Sequence, residues 1–361
     1  MPHTSLRVFS CTTRYTREGL LVADKVRLTR EEDLQVNLDD VVTINTLAAP
    51  LRRVRNYHVL QHELRLLLSY LRGGNRRTLT VRQHDLLSSA RHISAFFIES
   101  LGLGVLTAAV QAHYAWPGNE DTLEHFDVLP DELTDYYLRK GVRPDLLFRF
   151  PQESGNRLAG EARGRSSKRH KKSAPSAEQR RRLNQILGWS QRHDHHPVTM
   201  TWTYTGEEEV KADLFEIILP PPVARREPPV RQVFVQEPVD ASPILFANLT
   251  QGPADRTLFG SVAEDALFES APIADRRLGG AEVRGDWAAA DLFGSADTLF
   301  LLGVLPDRPG GRTRDMIRAH RSRARLEFDP LQVAVFGRLL FVTATRVSSP
   351  PPWSEVLSRL G

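Results

Sequence analysis

The chain has 361 residues and a single cysteine, Cys11. An internal disulfide and a zinc centre built from cysteine thiolates are therefore both excluded. No run of about 18 apolar residues stands out, so no membrane-crossing helix is expected. The N-terminus lacks the charged, apolar and small-residue order of a signal peptide. Together these absences lead to the expectation of a cytoplasmic chain. Net charge is only +4, with an isoelectric point near 9.3, but the basic residues are unevenly spread. Hydrophobic content of 41% and charged content of 25% are ordinary for a globular protein. The length suffices for two or three domains with well-buried cores.

The most informative stretch is Arg143–Arg165. Two short runs in it have strand character, Asp145–Phe150 and Arg157–Arg163, separated by the turn formers Pro-Gln-Glu-Ser-Gly-Asn. This predicts a hairpin. Alternation puts Leu146, Phe148 and Phe150 on one face and Asp145, Leu147 and Arg149 on the other. On the second strand Arg157, Ala159, Glu161 and Arg163 share a face. If Asp145 lies opposite residue 161 or 163, the two acids meet on one surface; a slip of one residue turns Asp145 away.

Two neighbouring carboxylates repel each other unless a cation sits between them. Oxygen ligands of this kind suit Mg²⁺ or Mn²⁺, which fill the rest of their sphere with water and phosphate oxygens. An adjacent cationic side chain can orient water or stabilise charge on phosphorus. With Pro144-Asp145 on one strand and Glu161-Ala162-Arg163 on the next, the arrangement resembles the PD-(D/E)xK nuclease family. The resemblance implies that Asp145 and Glu161 hold the metal and that Arg163 stands where the family has lysine. Arginine keeps the charge but is bulkier and never deprotonates, so an inactive copy stays open beside an active one. Lys168 is a further candidate for the missing lysine. The resemblance also implies a role for Glu99, a lone acid in an apolar helical run, and for Gln179 or Gln185 on the helix after the hairpin. Ser176 and Gln179 form a capping-box pattern, which explains Gln179 without any site.

The rest of the middle region fits this reading. Residues 81–114 are helical, as one helix or as two joined at Gly102-Leu103-Gly104, and Phe126–Leu129 is a short strand candidate. After the hairpin comes a basic run expected to be flexible, in which Arg165, Lys168, Arg169, Lys171 and Lys172 would hold a nucleic-acid backbone over the site. Arg180, Arg181 and Arg182 extend that surface along the next helix. Val198–Thr205 alternates cleanly and Val210–Leu219 follows as a strand. The resulting order matches the αβββαβ core of the family. His58 and His62 lie four apart on a helix over Tyr57–Leu71, and His193, Asp194, His195 and His196 crowd one turn; both groups read as ordinary surface or helix-end residues.

These features divide the chain into an N-terminal helical and β region (1–80), a nuclease-like core (81–220), a proline-rich linker (221–232) and a C-terminal α+β domain (233–361). Within the last, Arg308–Arg325 reads as a basic helix and Leu331–Val347 as a closing hairpin turning at Gly337-Arg338. The expected fold class is α/β (α+β), with a restriction-endonuclease-like core. The expected function is Mg²⁺- or Mn²⁺-dependent hydrolysis of DNA, with a defence or restriction role by family analogy. The alternative is a non-catalytic nucleic-acid-binding or assembly protein on a degenerate nuclease fold. The C-terminal domain is left free to contact a second copy or a partner protein.

Overall fold

The computed structural model describes residues 3–36, 41, 56–73, 78–114, 116, 123–126, 129, 137, 141–150, 157–171, 173–206, 209–220, 265–273, 277–278, 281–288, 298–306, 331–336 and 338–345. In chain order the elements are β1 (His3–Tyr15), β2 (Leu21–Gln35), α1 (Tyr57–Ser69), β3 (Leu71–Gly73), β4 (Leu79–Val81), α2 (Gln83–Ser88), α3 (Arg91–His113), β5 (Leu123–His125), β6 (Leu146–Arg149), β7 (Arg157–Arg165), α4 (Ala177–Arg192), β8 (Val198–Tyr204) and β9 (Lys211–Ile218). The short strands β10 (Arg277–Leu278) and β11 (Ala281–Glu282) precede β12 (Arg284–Ala288), β13 (Thr298–Val304), β14 (Leu331–Phe336) and β15 (Leu339–Thr345). The protein is a mixed α+β structure.

One mixed sheet of seven strands dominates, in the order β2-β1-β9-β8-β7-β6-β5. β5, β6 and β7 run antiparallel in sequence, whereas β7 and β8 are parallel because α4 carries the chain between them. β8 and β9 are antiparallel, and β1 joins β9 in parallel. The sequence reading set residues 1–80 apart; the sheet instead takes in β1 and β2. The cause lies in β1, where Leu6 and Val8 face one way and Phe9 and Cys11 end up on the other, all buried. A strand apolar on both faces suits the interior of a sheet covered on both sides, and β1 takes such a place between β2 and β9.

α3 covers one face of this sheet and α4 the other. Of the two alternatives, one helix or two joined at Gly102-Leu103-Gly104, α3 is continuous through both glycines, and the chain breaks earlier, at Ser89-Ala90 between α2 and α3. β7 accepts α3 at close range because Gly160 and Gly164 point toward it: a Cβ on Gly164 would lie 2.2 Å from the Ile98 carbonyl oxygen. α3 also corrects the expectation about apolar runs. It is long and apolar enough, by length and composition, to cross a membrane, but two thirds of that stretch is buried within the fold. The expected strand at Phe126–Leu129 lies slightly earlier, as β5, and Phe126 donates its N–H to the Asp145 carbonyl.

α4 begins with the capping box read from the sequence. Ser176 Oγ accepts from the Gln179 N–H at 3.2 Å, and Gln179 Oε1 accepts from the Ser176 N–H at 2.7 Å. It ends at a turn where Asp194 and His195 adopt left-handed backbone angles, φ 52° and 58°. Among residues other than glycine, Asp and His tolerate that conformation best. His196 and His193 pack with Tyr137 against Trp189, so this histidine group belongs to an aromatic cluster under the end of the helix.

A second sheet, β12-β13-β15-β14, is formed by the C-terminal part of the chain. β14 and β15 are the expected closing hairpin, with Phe336 opposite Leu339. Phe300, Leu302, Val304, Leu339 and Phe341 share one apolar cluster with Leu60, Leu64 and Leu67 of α1 and with α3. Tyr57, fully buried at the start of α1, sews the two parts together: its hydroxyl donates to the Leu302 carbonyl at 2.7 Å and accepts from the Asp286 N–H at 2.8 Å. Burial raises its pKa, which keeps the hydroxyl protonated and able to donate. The proline-rich linker and the basic stretch Arg308–Arg325 lie outside the described residues.

Candidate active site

The register of β6 on β7 decides whether the acids meet. Leu146 pairs with Gly160, Leu147 with Ala159 and Phe148 with Leu158. Asp145 donates its N–H to the Gly160 carbonyl at 2.9 Å and so enters β6 opposite Glu161. This is the register that joins the two carboxylates. The apolar pattern enforces it: Leu146 and Phe148 enter the cluster under α3, and Leu147 enters the one under α4. A one-residue slip would exchange all three.

Glu161 is fully buried on the α4 side of the sheet, and Asp145 is partly exposed beside it. Asp145 Oδ2 accepts from the Ala162 N–H at 2.7 Å. Glu161 Oε1 accepts a hydrogen bond from Arg182 Nε at 2.6 Å and lies in ion-pair contact with Arg163 Nε at 2.5 Å and Arg182 Nη2 at 2.6 Å. Glu161 Oε2 is buried with no hydrogen-bond partner among the described residues. One oxygen thus takes the hydrogen bond and both guanidinium contacts, while the other has no hydrogen-bond partner among the described residues. Burial raises the pKa of Asp145 well above the usual carboxylate range; the nearby Glu161 charge adds to the rise, and the Ala162 N–H and two guanidiniums oppose it. Burial also raises that of Glu161, against the pull of Arg163 and Arg182.

Arg182 is the residue the sequence reading assigned to the outer basic surface and the structure turns inward. The signal was present: Arg182 lies three residues after the buried Gln179 and beside buried Leu183, on the stripe of α4 that faces the sheet. Its Nη1 also donates to Gln185 Oε1 at 3.3 Å. Gln179, by contrast, reaches past the cap into a buried network. Its Nε2 donates to Tyr204 Oη and to Asp213 Oδ2, both at 2.9 Å, and Arg7 holds Asp213 with Nε at 2.8 Å and Nη2 at 3.0 Å. This network ties β1, β8, β9 and α4 together a short distance along the same face.

The other predicted residues are distributed as follows. Glu99 is exposed on α3, and among the described residues nothing ties it to the Asp145–Glu161 pair. Arg165 pairs with Glu178 and stacks over Trp202, 4.9 Å from the ring centre. Lys168, Lys171, Arg180 and Arg181 are exposed. Arg169 is not available as expected: it donates to the Ser5 carbonyl and to Glu31, at 3.2 and 2.8 Å, and so fastens its segment to β1 and β2. Arg7 Nη1 donates to the His170 carbonyl and the Gly206 N–H to that of Ser167, which ties these two points of the basic segment to the sheet. Lys172 lies outside the described residues. His58 and His62 are exposed, and no cluster of three or more metal-ligating side chains occurs among the described residues.

The donor set nevertheless fits a small hard cation. Two carboxylates face each other across adjacent strands, one with a buried oxygen lacking any partner. An ion that keeps most of its waters and takes phosphate oxygens needs no more from the protein. Comparison with protein-family models, with curated proteins and with solved structures finds no match to this chain.

Proposed function

We propose that this chain is a metal-dependent nuclease with a restriction-endonuclease-like core, acting on DNA phosphodiesters. The observation that carries the reading is the pairing of Asp145 with Glu161, joined by strand register, with Glu161 Oε2 buried and without a hydrogen-bond partner among the described residues. The run α3-β5-β6-β7-α4-β8 supports an αβββαβ core, with β7 and β8 parallel and the acids on the face under α4. Asp145 and Glu161 would hold Mg²⁺ or Mn²⁺, which supplies a Lewis acid for the phosphate and lowers the pKa of a bound water. Arg163, one-third exposed, is placed to meet developing charge on the phosphate oxygens. Lys168, Lys171, Arg180 and Arg181 supply exposed positive charge for the polyanion.

One observation favours a second reading. Glu161 Oε1 is already held by two guanidiniums, so its charge is paired without any ion. A non-catalytic protein that binds nucleic acid on the same fold would look like this. The deciding experiment is cleavage of plasmid, linear and single-stranded DNA with Mg²⁺ or Mn²⁺ by the wild type and by Glu161→Gln. Loss of cleavage in the variant, with DNA binding kept, is expected. Cleavage that persists in Glu161→Gln would refute the site. Salt-sensitive binding by a wild type that never cleaves would establish the second reading.

A further inference from the structure

We infer that Arg163 and Arg182 form an exchangeable cover on Glu161: a phosphodiester draws the two guanidiniums off the carboxylate, and the carboxylate so released accepts the divalent ion. Substrate and metal then load together, each promoting the other. This inference rests on the nuclease reading above and names how its site is controlled.

The geometry of the contact carries the argument. An arginine that locks a carboxylate permanently spreads its fork over both oxygens. Here Arg182 Nε donates to Oε1 at 2.6 Å, Arg163 Nε and Arg182 Nη2 make ion-pair contacts with that same oxygen at 2.5 and 2.6 Å, and Oε2 has no hydrogen-bond partner among the described residues. A carboxylate oxygen offers about two good lone-pair directions, so three nitrogens crowded on one atom are not all well used, and only Arg182 Nε makes a hydrogen bond there. The cations therefore retain donor capacity that a phosphate, with its several oxygens, would satisfy better.

Accessibility points the same way. Glu161 has no exposed side-chain surface, whereas Arg163 is 34% and Arg182 14% exposed. The guanidiniums lie between the acid and solvent, so an anion arriving from outside meets them first. Arg182 has a second resting partner within reach in Gln185, an exposed side chain three residues further along α4. Exposed Arg180 and Arg181 on the same helix raise the local concentration of a polyanion. Arginine suits the exchange because its planar fork matches phosphate and carboxylate alike.

The test measures Mn²⁺ binding to the full chain, by the electron-spin-resonance signal of free Mn²⁺, with and without dimethyl phosphate as the smallest phosphodiester. The wild type should bind Mn²⁺ weakly alone and about tenfold more tightly with dimethyl phosphate, and Mn²⁺ should tighten dimethyl phosphate by the same factor. Arg182→Gln should bind Mn²⁺ about tenfold more tightly than the wild type without the phosphodiester, and gain little from its addition. Arg163→Gln tests the cover from β7, should Arg182→Gln fail to fold. The inference is overturned if both variants bind Mn²⁺ no more tightly than the wild type while Glu161→Gln abolishes binding; the metal site then stands and the cover does not. If no variant binds Mn²⁺ above the Glu161→Gln background, with or without dimethyl phosphate, the nuclease reading itself falls and the inference falls with it.

Discussion

Buried ionisable side chains in this protein are held in one protonation state by their surroundings, and His196 shows the consequence for stability. Burial lowers its pKa from 6.5 to about 4, and its neutral ring packs on Trp189 and meets Tyr137. In the unfolded chain the same histidine would titrate near its ordinary value. The unfolded state therefore binds a proton first as the pH falls, and stability is lost between about pH 6.5 and pH 4, then levels off. The full loss from this one residue is of order 3 kcal/mol. Urea unfolding of the wild type should show that acid limb. His196→Phe, which keeps a ring against Trp189, should flatten it whatever its effect at neutral pH. An unchanged slope in the variant would assign the acid sensitivity elsewhere, for instance to the acids that other residues hold ionised.

At the scale of elements, the contact between α3 and β7 is set by an absent side chain. Gly164 lets the Ile98 turn of α3 approach the strand that carries Glu161 and Arg163, and a methyl group there would overlap both the Ile98 carbonyl and its side chain. Gly164→Ala should therefore cost about 1–3 kcal/mol as an overpacked contact. It should also weaken whatever Arg163 and Glu161 bind, because they flank the displaced position; thermal denaturation and the Mn²⁺ titration check both parts. Elements such as β7, β8 and α4 were legible because their patterns are local: Val198–Thr205 alternates, and Ser176 and Gln179 announce a helix start. The facing of Asp145 and Glu161 was legible as one of two registers, and the leucines and phenylalanine of β6 chose between them. Arg182 was misread because a guanidinium three residues from a buried glutamine looks like surface until its partner on another strand is known. The contacts of the basic segment after β7 were equally hidden, since the hydrogen bond to the His170 carbonyl comes from Arg7, 163 residues away in sequence. The place of β1 beside β9 is a long-range pairing, which no local pattern records.

For the whole molecule, the question is whether the C-terminal sheet is a separate unit. Its inward residues share one apolar cluster with α1 and α3, and the Tyr57 hydroxyl serves a backbone group on each of two of its strands. Tyr57→Phe would leave the buried Leu302 carbonyl without that partner, at about 1–3 kcal/mol, and would free the half-exposed Asp286 N–H to water. If the parts unfold together, tryptophan fluorescence and far-ultraviolet dichroism should shift as one transition; a second transition moving alone would show the sheet to be independent. The parallel pairing of β1 with β9 also bears on how the chain is made. Arg7 and Asp213 are 206 residues apart, so at ordinary translation speeds of about 5–20 residues per second the first strand waits roughly 10–40 s for its partner to be synthesised. Until then β1 can pair only with β2, and its other edge, with Leu6, Val8 and Phe9, is open to any strand it meets. The run of charge on β2, Arg30 to Asp33, keeps the outer side of that early hairpin from stacking on a neighbour. The nascent chain is thus most vulnerable to mispairing at its oldest end, and a ribosome stalled before residue 211 would hold it in that condition.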